Sequence, residues 1–192
     1  MDGDATGSEP ALHEEPGFRL RRMRHADHAD LFAVTNDPEV VRYVGDGTVL
    51  PADRVTLWIE NSLHNYASPG YGTFALADPA DDRLFGWAGL IPPGRGPRPE
   101  PEIIYGFERA RWGGGLGRRI AGAVTGLGLT RFGLETVIAT VDPGNAASRR
   151  ILEGIGYRLE RIEEDEDGPV MFYRIRRGDR AYPPDGATVA EG

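Results

Sequence analysis

The sequence predicts an α+β fold in which helices flank one central sheet. Apolar residues follow the order strand, helices, three strands, helix, strand, helix and two strands. This order is neither the regular βαβ alternation of a doubly wound sheet nor an all-β pattern. A chain of 192 residues is long enough for one hydrophobic core and gives no reason to expect two. We therefore expect one domain with a mixed sheet of about seven strands.

The first half of the chain begins with one strand and continues with helices. Apolar and polar residues alternate in Phe18–Arg21, which predicts the strand. Apolar residues at helical spacing predict three helices, over residues 26–36, 38–44 and 54–66, the second of about two turns. Two β-like runs follow, at residues 71–77 and Leu84–Ile91. The polar turn between these two runs predicts an antiparallel hairpin.

The second half is predicted to contain strands and helices on either side of a glycine-rich turn. Residues 92–101 are rich in Pro, Gly and Arg and are expected to form a loop. The apolar spacing then predicts four strands, at residues 103–107, 135–141, 157–162 and 170–175. It also predicts two helices, one from residue 116 onward, after the first of these strands, and one at 145–154, after the second. The acidic residues 163–168 are expected to be an exposed turn. Residues 1–16 and 178–192 are predicted to be mobile tails around a domain at 17–177.

The composition excludes several classes of function. With 30 acidic and 22 basic residues, the net charge of −8 argues against general binding to nucleic acid or to a membrane surface. Neither Lys nor Cys occurs, so a Schiff-base lysine, a Walker loop, a thiolate nucleophile and a Cys-ligated metal are excluded. No apolar run is long enough to span a bilayer, and the acidic N-terminus does not have the features of a signal peptide. We expect a cytoplasmic protein.

The glycine-rich run at residues 112–119 is the first candidate for a binding site. It reads Trp-Gly-Gly-Gly-Leu-Gly-Arg-Arg and connects a predicted strand to a predicted helix. The backbone N–H groups of such a turn come close to a bound anion, and the helix dipole favours the negative charge. The spacing does not fit the dinucleotide fingerprint Gly-x-Gly-x-x-Gly. It predicts a pyrophosphate cradle of another kind, with Arg118 and Arg119 in the first helical turn; a flexible surface turn is the alternative.

The second candidate is the segment at residues 145–157, which follows a predicted strand. An Asn-x-x-Ser pair, Asn145 and Ser148, stands on the opening turn of a short predicted helix, and the segment ends in Gly156-Tyr157. Asn is among the best helix caps, so Asn145 has a purely structural interpretation as well as a functional one.

Together these two segments resemble the GNAT superfamily of N-acetyltransferases, in particular its branch similar to the ribosomal-protein acetyltransferases RimJ and RimL. The pattern Trp-Gly-x-Gly-x-Gly/Ala of that branch looks like residues 112–117, and its Asn-x-x-Ser segment ending in Gly-Tyr/Phe looks like residues 145–157. Leu20-Arg21 and residues 36–40 are also similar to the branch. The resemblance covers about residues 17–176.

The resemblance implies a GNAT fold with acetyl-CoA as the co-substrate and no metal. In such a fold the sheet is mostly antiparallel and splays between the fourth and fifth strands. The pyrophosphate would lie at the glycine turn, with the pantetheine arm beside Phe107 and Asn145. The implied cofactor-binding residues are Phe107, Trp112, Gly113, Gly114, Gly115, Leu116, Gly117, Arg118, Arg119 and Asn145.

The resemblance also implies two catalytic residues. A glutamate on the strand before the glycine turn often serves as general base for the attacking amine, and that position is Glu102, with Glu100 and Glu108 as alternatives. Many members have a tyrosine seven residues after the asparagine to assist the departing thiolate. Leu152 stands there in this chain, so Ser148 becomes the candidate.

The implied function is direct transfer of an acetyl group to a primary amine, either a protein N-terminus or a small molecule. A catalytically silent acyl-CoA-binding or sensor domain is the alternative, and a homodimer is left open. The acidic run at residues 163–167 would attract a cationic acceptor, or it is only a solvated turn.

Overall fold

The computed structural model describes residues 10–96, 98–165 and 168–179. Within these ranges the chain forms eight strands and five α-helices. The strands are β1 (His13–Glu15), β2 (Phe18–Arg21), β3 (Thr73–Ala77), β4 (Leu84–Ile91), β5 (Glu102–Phe107), β6 (Thr136–Val141), β7 (Arg158–Asp165) and β8 (Gly168–Arg176). The helices are α1 (His28–Thr35), α2 (Pro38–Val41), α3 (Ala52–Ala67), α4 (Leu116–Thr130) and α5 (Ala146–Gly154).

The eight strands form one sheet in the order β1-β2-β3-β4-β5-β6-β8-β7. Every neighbouring pair is antiparallel except β5 and β6, which are parallel. The prediction of an α+β fold with a mostly antiparallel central sheet is confirmed, with eight strands instead of about seven.

The additional strand is β1, which lies inside the segment 1–16 that the sequence assigns to a tail. It pairs with β2, and the ring of His13 stacks on that of Phe18 with centroids 5.6 Å apart. The sequence of β1 is polar and short, so it does not predict a strand; β1 pairs with the next strand, β2, and Glu15 binds the distant Arg119. The predicted tails at 1–9 and 180–192 lie outside the described residues.

Helices cover both faces of the sheet and create two apolar clusters. We call the face covered by α4 and α5 the α4 face, and the face covered by α1, α2 and α3 the α1 face. Ile120 and Val124 of α4 pack on the first, and Leu31 of α1 and Ile59 of α3 pack on the second. Because both faces are covered, every residue of the central strand β3 is buried.

Two elements differ in extent from the sequence prediction. Helix α2 has a single turn instead of about two, since Gly45 and Gly47 adopt positive φ angles of 59° and 76° just beyond it. The acidic run does not form a long turn, because residues 163–165 continue β7 and Gly168 begins β8. Only residues 166 and 167, which lie outside the described part, connect these two strands.

The parallel strands β5 and β6 separate almost as soon as they meet, which confirms the predicted splay between the fourth and fifth predicted strands. Glu102 and Ile138 form the single paired position between them, and Ile138 N donates to Pro101 O at 2.9 Å. Beyond this point the two strands diverge toward their C-terminal ends. We call the space between them the wedge.

Candidate functional site

The glycine turn that follows β5 has the backbone geometry of an anion site. Gly113, Gly114 and Gly115 have φ angles of +81°, +57° and +79°, which L side chains rarely adopt. A Cβ atom at any of the three would meet no atom within 4 Å, so the turn is open on its outer side. Gly115 is the N-cap of α4. Successive amides of a left-handed turn at a helix N-terminus form a concave donor surface for a phosphate group.

Side chains before the turn fix its position. The indole Nε1 of the exposed Trp112 donates to Phe107 O at 2.9 Å, which ties the turn to the end of β5. This carbonyl therefore already has one donor, whereas the family resemblance implies that backbone groups near Phe107 are free to bind the pantetheine arm. Arg109 Nε donates to Asp37 Oδ2 at 2.7 Å, and Arg111 Nη2 donates to Asp78 Oδ2 at 2.6 Å.

Gly117 lets α4 approach the neighbouring elements closely. A Cβ atom there would lie 2.9 Å from Ile151 Cδ1 of α5 and 3.6 Å from Phe107 Cζ of β5. Leu116, the first residue of α4, packs against the same apolar cluster. Because β5 and β6 are parallel, α4 and α5 both begin at the open end of the wedge, where their dipoles favour negative charge.

The two arginines of the first helical turn have partners within the protein. Arg118 Nη2 donates to Gly154 O at the end of α5, at 2.9 Å. Arg119 Nε donates to Glu15 Oε2 of β1 at 3.0 Å, and its Nη2 donates to Pro16 O. The side chain of Arg119 thus holds β1 against α4, while the sequence predicts it at the pyrophosphate. The backbone of both residues stays at the helix N-terminus.

Asn145 and Ser148 lie together at the start of α5. Asn145 is the N-cap, and its Oδ1 accepts the amide of Ser148 at 3.0 Å. The capping role is therefore present in the structure, and it uses the oxygen of the side-chain amide. Both side chains are half-buried, on the edge of the wedge that β6 leads into.

A tyrosine of β5 meets Ser148 across the wedge. Tyr105 Oη and Ser148 Oγ are 2.9 Å apart, a hydrogen bond in which either hydroxyl can donate. Burial raises the pKa of Tyr105 to about 12, so the phenol stays protonated at neutral pH. Tyr105 and Ser148 both belong to the α4 face, since Tyr105 packs in the same cluster as its strand neighbours Ile103 and Phe107.

Glu102 joins the two strands at the closed end of the wedge. Its Oε1 accepts the backbone N–H of Thr140 at 3.1 Å and also the hydroxyl of Thr140. The carboxyl group thus accepts the N–H of Thr140, which would bond to the backbone of β5 if the two strands stayed paired. Only 8 % of Glu102 is exposed, and burial raises the pKa of its carboxyl group above the ordinary range.

The two alternative glutamates already have arginine partners. Glu100 receives Nη1 and Nη2 of Arg174, the latter at 2.7 Å, and this guanidinium lowers the pKa of the Glu100 carboxyl. Glu108 receives Arg83 Nη1 at 2.7 Å and Nη2 at 3.0 Å. The guanidinium makes Glu100 a poorer proton acceptor, whereas burial makes Glu102 a better one.

The two candidate catalytic groups lie on opposite faces of the sheet. Residues alternate between faces along a strand, so Glu102 and Ile104 share the α1 face, and Ile104 packs in that cluster. Thr140 lies on the α1 face as well, because its neighbours Ala139 and Val141 are in the α4 cluster. The wedge therefore has a carboxyl on one side and a Tyr–Ser hydroxyl pair on the other.

A cavity of about 560 Å³ lies on the α1 side, between the end of α2 and the start of α3. Its walls are mainly apolar, with Val41, Val44 and Trp58 among them, and the charged Asp46, Asp53 and Arg54 line it as well. The nearby Tyr43, which does not line the cavity, has its hydroxyl 3.4 Å from the position of a Cβ at Gly144, just before Asn145.

The acidic run at residues 163–167 is only partly within the described residues, since 166 and 167 lie outside them. In the described part, Glu163 binds Arg161. Just before the run, Glu160 accepts Arg174 Nε and Arg176 Nη2, each at 2.8 Å.

The sequence does not single out Tyr105 or Thr140. Tyr105 could have been noticed in the sequence, because it places a hydroxyl group between Ile103 and Phe107 on the face of the strand that is otherwise apolar. For Thr140 there is no local signal, since its bond to Glu102 depends on the register between two strands distant in sequence.

Among the described residues, no group of three or more His, Asp or Glu side chains is arranged to hold a metal ion. None of the helices described there is both long and apolar enough to cross a membrane.

Three comparisons place this geometry among known proteins. The chain is 30% identical over 158 residues to the uncharacterized protein YkkB of Bacillus subtilis (strain 168), across 81% of this chain and 90% of that protein. It superposes on spermidine N-acetyltransferase from Vibrio cholerae, solved in complex with CoA and spermine, with a TM-score of 0.72 and 17% identity over 86% and 99% of the two chains. It also superposes on ribosomal-protein-S5-alanine acetyltransferase from Vibrio fischeri, with a TM-score of 0.69 and 14% identity over 91% and 100%.

These structural likenesses show the fold, and a family model extends them to the sequence. Residues 18–158 match the model described as an acetyltransferase (GNAT) domain, which spans most of the chain and includes the wedge, the glycine turn and the start of α5. GNAT acetyltransferases use acetyl-CoA to acetylate amines. With its splayed strands, its positive-φ glycine turn and this match, the chain belongs to the GNAT acetyltransferase family.

Proposed function

We propose that this protein transfers the acetyl group of acetyl-CoA directly to a primary amine. One observation carries the proposal: the buried carboxyl of Glu102 and the hydroxyl of Ser148 lie at the same wedge but on opposite faces of the sheet. An amine that enters from the α1 face would reach Glu102, and a thiol on the α4 face would reach Ser148. The RimJ/RimL-like branch stays part of the proposal.

The residues present are compatible with acetyl-CoA. Three consecutive glycines with positive φ angles and the N-terminus of α4 supply backbone donors for a pyrophosphate. Beside them, the separation of β5 and β6 leaves strand edges unpaired along the wedge. When bound, acetyl-CoA supplies an acetyl thioester, in which the carbon–sulfur bond breaks and sulfur keeps the electron pair as the carbon–nitrogen bond forms.

Glu102 would act as the general base. An amine attacks only when it is neutral, and a carboxylate with a raised pKa accepts the amine proton more readily than an ordinary one. Thr140 would fix the carboxyl through Oε1, so that Oε2 faces the amine.

Asn145 and the glycine turn would hold the two ends of the pantetheine arm. Asn145 uses its Oδ1 as the helix cap, which leaves the N–H groups of its amide to donate to the arm. Ser148 would stabilise the negative charge that develops on the departing sulfur. Placement of the two reactants in one wedge accounts for much of the catalysis expected of direct transfer.

The acceptor would be a small-molecule amine or a protein N-terminus. The mainly apolar cavity beside α2 and α3 favours an amine that carries an apolar group. The two structural relatives act on both kinds of acceptor, since one is a spermidine and the other a ribosomal-protein acetyltransferase.

The test measures thiol release from acetyl-CoA with a panel of amines. The panel contains spermidine, an alanine-initiated peptide and phenethylamine, and a matched set of N-acetylated compounds provides the control. We expect release that depends on a free amine and disappears with the acetylated set. Tight acetyl-CoA binding by calorimetry without release from any amine would instead support the catalytically silent domain.

A further inference from the structure

We propose that Tyr105 is a positioning residue that orients the hydroxyl of Ser148 toward the departing thiol of coenzyme A. The inference rests on the proposed acetyl transfer and adds a residue to it. Its basis is the 2.9 Å hydrogen bond between Tyr105 Oη on β5 and Ser148 Oγ on α5, the helix that follows the other strand of the wedge.

A serine or threonine on a helix usually directs its hydroxyl back to the helix. In this chain the hydroxyls of Thr35, Thr56, Ser62 and Thr130 all donate to the carbonyl four residues earlier. Ser148 and Thr125 differ from these four, because the hydroxyl of each bonds to a tyrosine outside its own helix. Ser148 lies in the first turn of α5, and Tyr105 gives its hydroxyl a partner outside that helix.

The direction of this hydrogen bond determines what Ser148 can do. A serine hydroxyl has one proton and two acceptor lone pairs. When Tyr105 donates to Ser148 Oγ, the serine proton is left to donate to a second partner. Burial raises the pKa of Tyr105, which keeps the phenol in the protonated form that can donate. The Ser148 amide donates to Asn145 Oδ1, which fixes the backbone from which the hydroxyl extends.

In the transfer step Ser148 donates a hydrogen bond to the sulfur and does not lose its proton. The carbon–sulfur bond breaks, the sulfur keeps the electron pair, and the proton of the attacking amine goes to Glu102. The released thiolate takes its proton from water. Tyr105 touches neither reactant in this scheme and acts through Ser148.

The experiment is a double-mutant cycle of Tyr105→Phe and Ser148→Ala. We expect Tyr105→Phe to lower kcat about tenfold, equivalent to about 1.4 kcal/mol of transition-state stabilisation, with the dissociation constant of acetyl-CoA nearly unchanged. In the Ser148→Ala background Tyr105→Phe should have no further effect. An equal loss in both backgrounds would show that Tyr105 acts independently of Ser148 and would overturn the inference.

Tyr157→Phe is the matched control. Its hydroxyl lies 3.1 Å from Thr125 Oγ1 in the same core, so the variant also loses one buried bond between a tyrosine and a helical hydroxyl. We expect its kcat to match that of the unmodified protein. Thermal unfolding of the two Phe variants shows whether their stabilities are comparable.

A second readout does not require turnover. The ultraviolet absorbance of the thiolate reports the pKa of the thiol of bound coenzyme A, which a hydrogen bond from Ser148 lowers. Both Tyr105→Phe and Ser148→Ala should raise this pKa, and Tyr157→Phe should not. If Ser148→Ala changes neither the thiol pKa nor kcat, the role of Ser148 in the proposed function fails. If Ser148→Ala has its effect and Tyr105→Phe has none, only the role of Tyr105 fails.

Discussion

Glu102 combines two opposing influences on one carboxyl group. Burial raises its pKa, and the hydrogen bonds from the hydroxyl and the amide of Thr140 lower it. Burial is the larger of the two influences, so the pKa of the carboxyl group is raised. A change at Thr140 should therefore alter the pH at which the enzyme works.

Thr140→Val removes one of the bonds that favour ionised Glu102. We expect the pKa of Glu102 to rise further, so that activity is lost at a higher pH as the solution is acidified. The measurement is the acidic limb of kcat/KM against pH, which reports the base of the free enzyme. Thr136→Val is the control, because Thr136 lies on the same strand as Thr140, but its hydroxyl donates to Ile175 O of β8 and does not contact Glu102. Identical acidic limbs for all three proteins would remove Glu102 as the base.

The sequence predicts individual residues of the candidate site to different degrees. Glu102 can be named because it stands at a fixed distance before the glycine turn, and the structure then separates it from Glu100 and Glu108 by their arginine partners. The sequence does not predict a role for Thr140. Its contact exists only because β5 and β6 pair at a single position, and no local pattern encodes a parallel register.

Among the elements, the glycine turn and α4 form the unit whose backbone would bind the anion. Gly115→Glu places a carboxylate and a Cβ atom at a position with φ of +79°, at the helix N-terminus. We expect acetyl-CoA binding to fall below detection, because the charge repels the pyrophosphate and the backbone conformation is strained. Isothermal titration calorimetry gives the affinity.

Gly126→Glu is the matched control for this element. Gly126 is on the same helix, more than two turns away, and a Cβ atom there meets no atom within 4 Å. It adds the same charge without reaching the turn, so we expect affinity close to that of the unmodified protein. Retention of affinity in Gly115→Glu would contradict the proposed cradle.

The spacing of apolar residues predicts the helices and strands that are amphipathic or buried. The strands β3 to β6 and the helices α3 to α5 lie where the pattern predicts them, because their apolar residues contact a core. Strand β1 does not, since its stability depends on β2 and on Arg119 of α4. The sequence also does not predict the full length of β7, because an edge strand with charged residues resembles a turn in sequence.

Across the whole molecule, the candidate base should lower the free energy of unfolding. A carboxyl whose pKa is raised in the folded state binds its proton more tightly there than in the unfolded chain. The free energy of unfolding then falls as pH rises through the interval between the two pKa values, and the deficit persists at neutral pH.

Glu102→Gln should separate this stability cost from activity. We expect the variant to unfold at a higher temperature at neutral pH, since it removes the buried charge and keeps an oxygen for Thr140, while kcat falls about 100-fold. Calorimetric unfolding from acidic to neutral pH gives the difference. Glu60→Gln, which removes an exposed carboxylate from α3, should unfold like the unmodified protein. A lower unfolding temperature for Glu102→Gln at neutral pH would contradict this account.

The placement of Glu102 and Ser148 on opposite faces of the sheet has a kinetic consequence. The two substrates would bind from opposite faces of the sheet, so neither product has to leave before the second substrate binds. Both substrates must be bound together for the reaction to occur. Initial-rate plots should therefore intersect, as they do for a ternary complex, and not run parallel as they do for an acyl-enzyme. The two substrates would stay on opposite faces of the sheet, and only the acetyl group would pass from one face to the other.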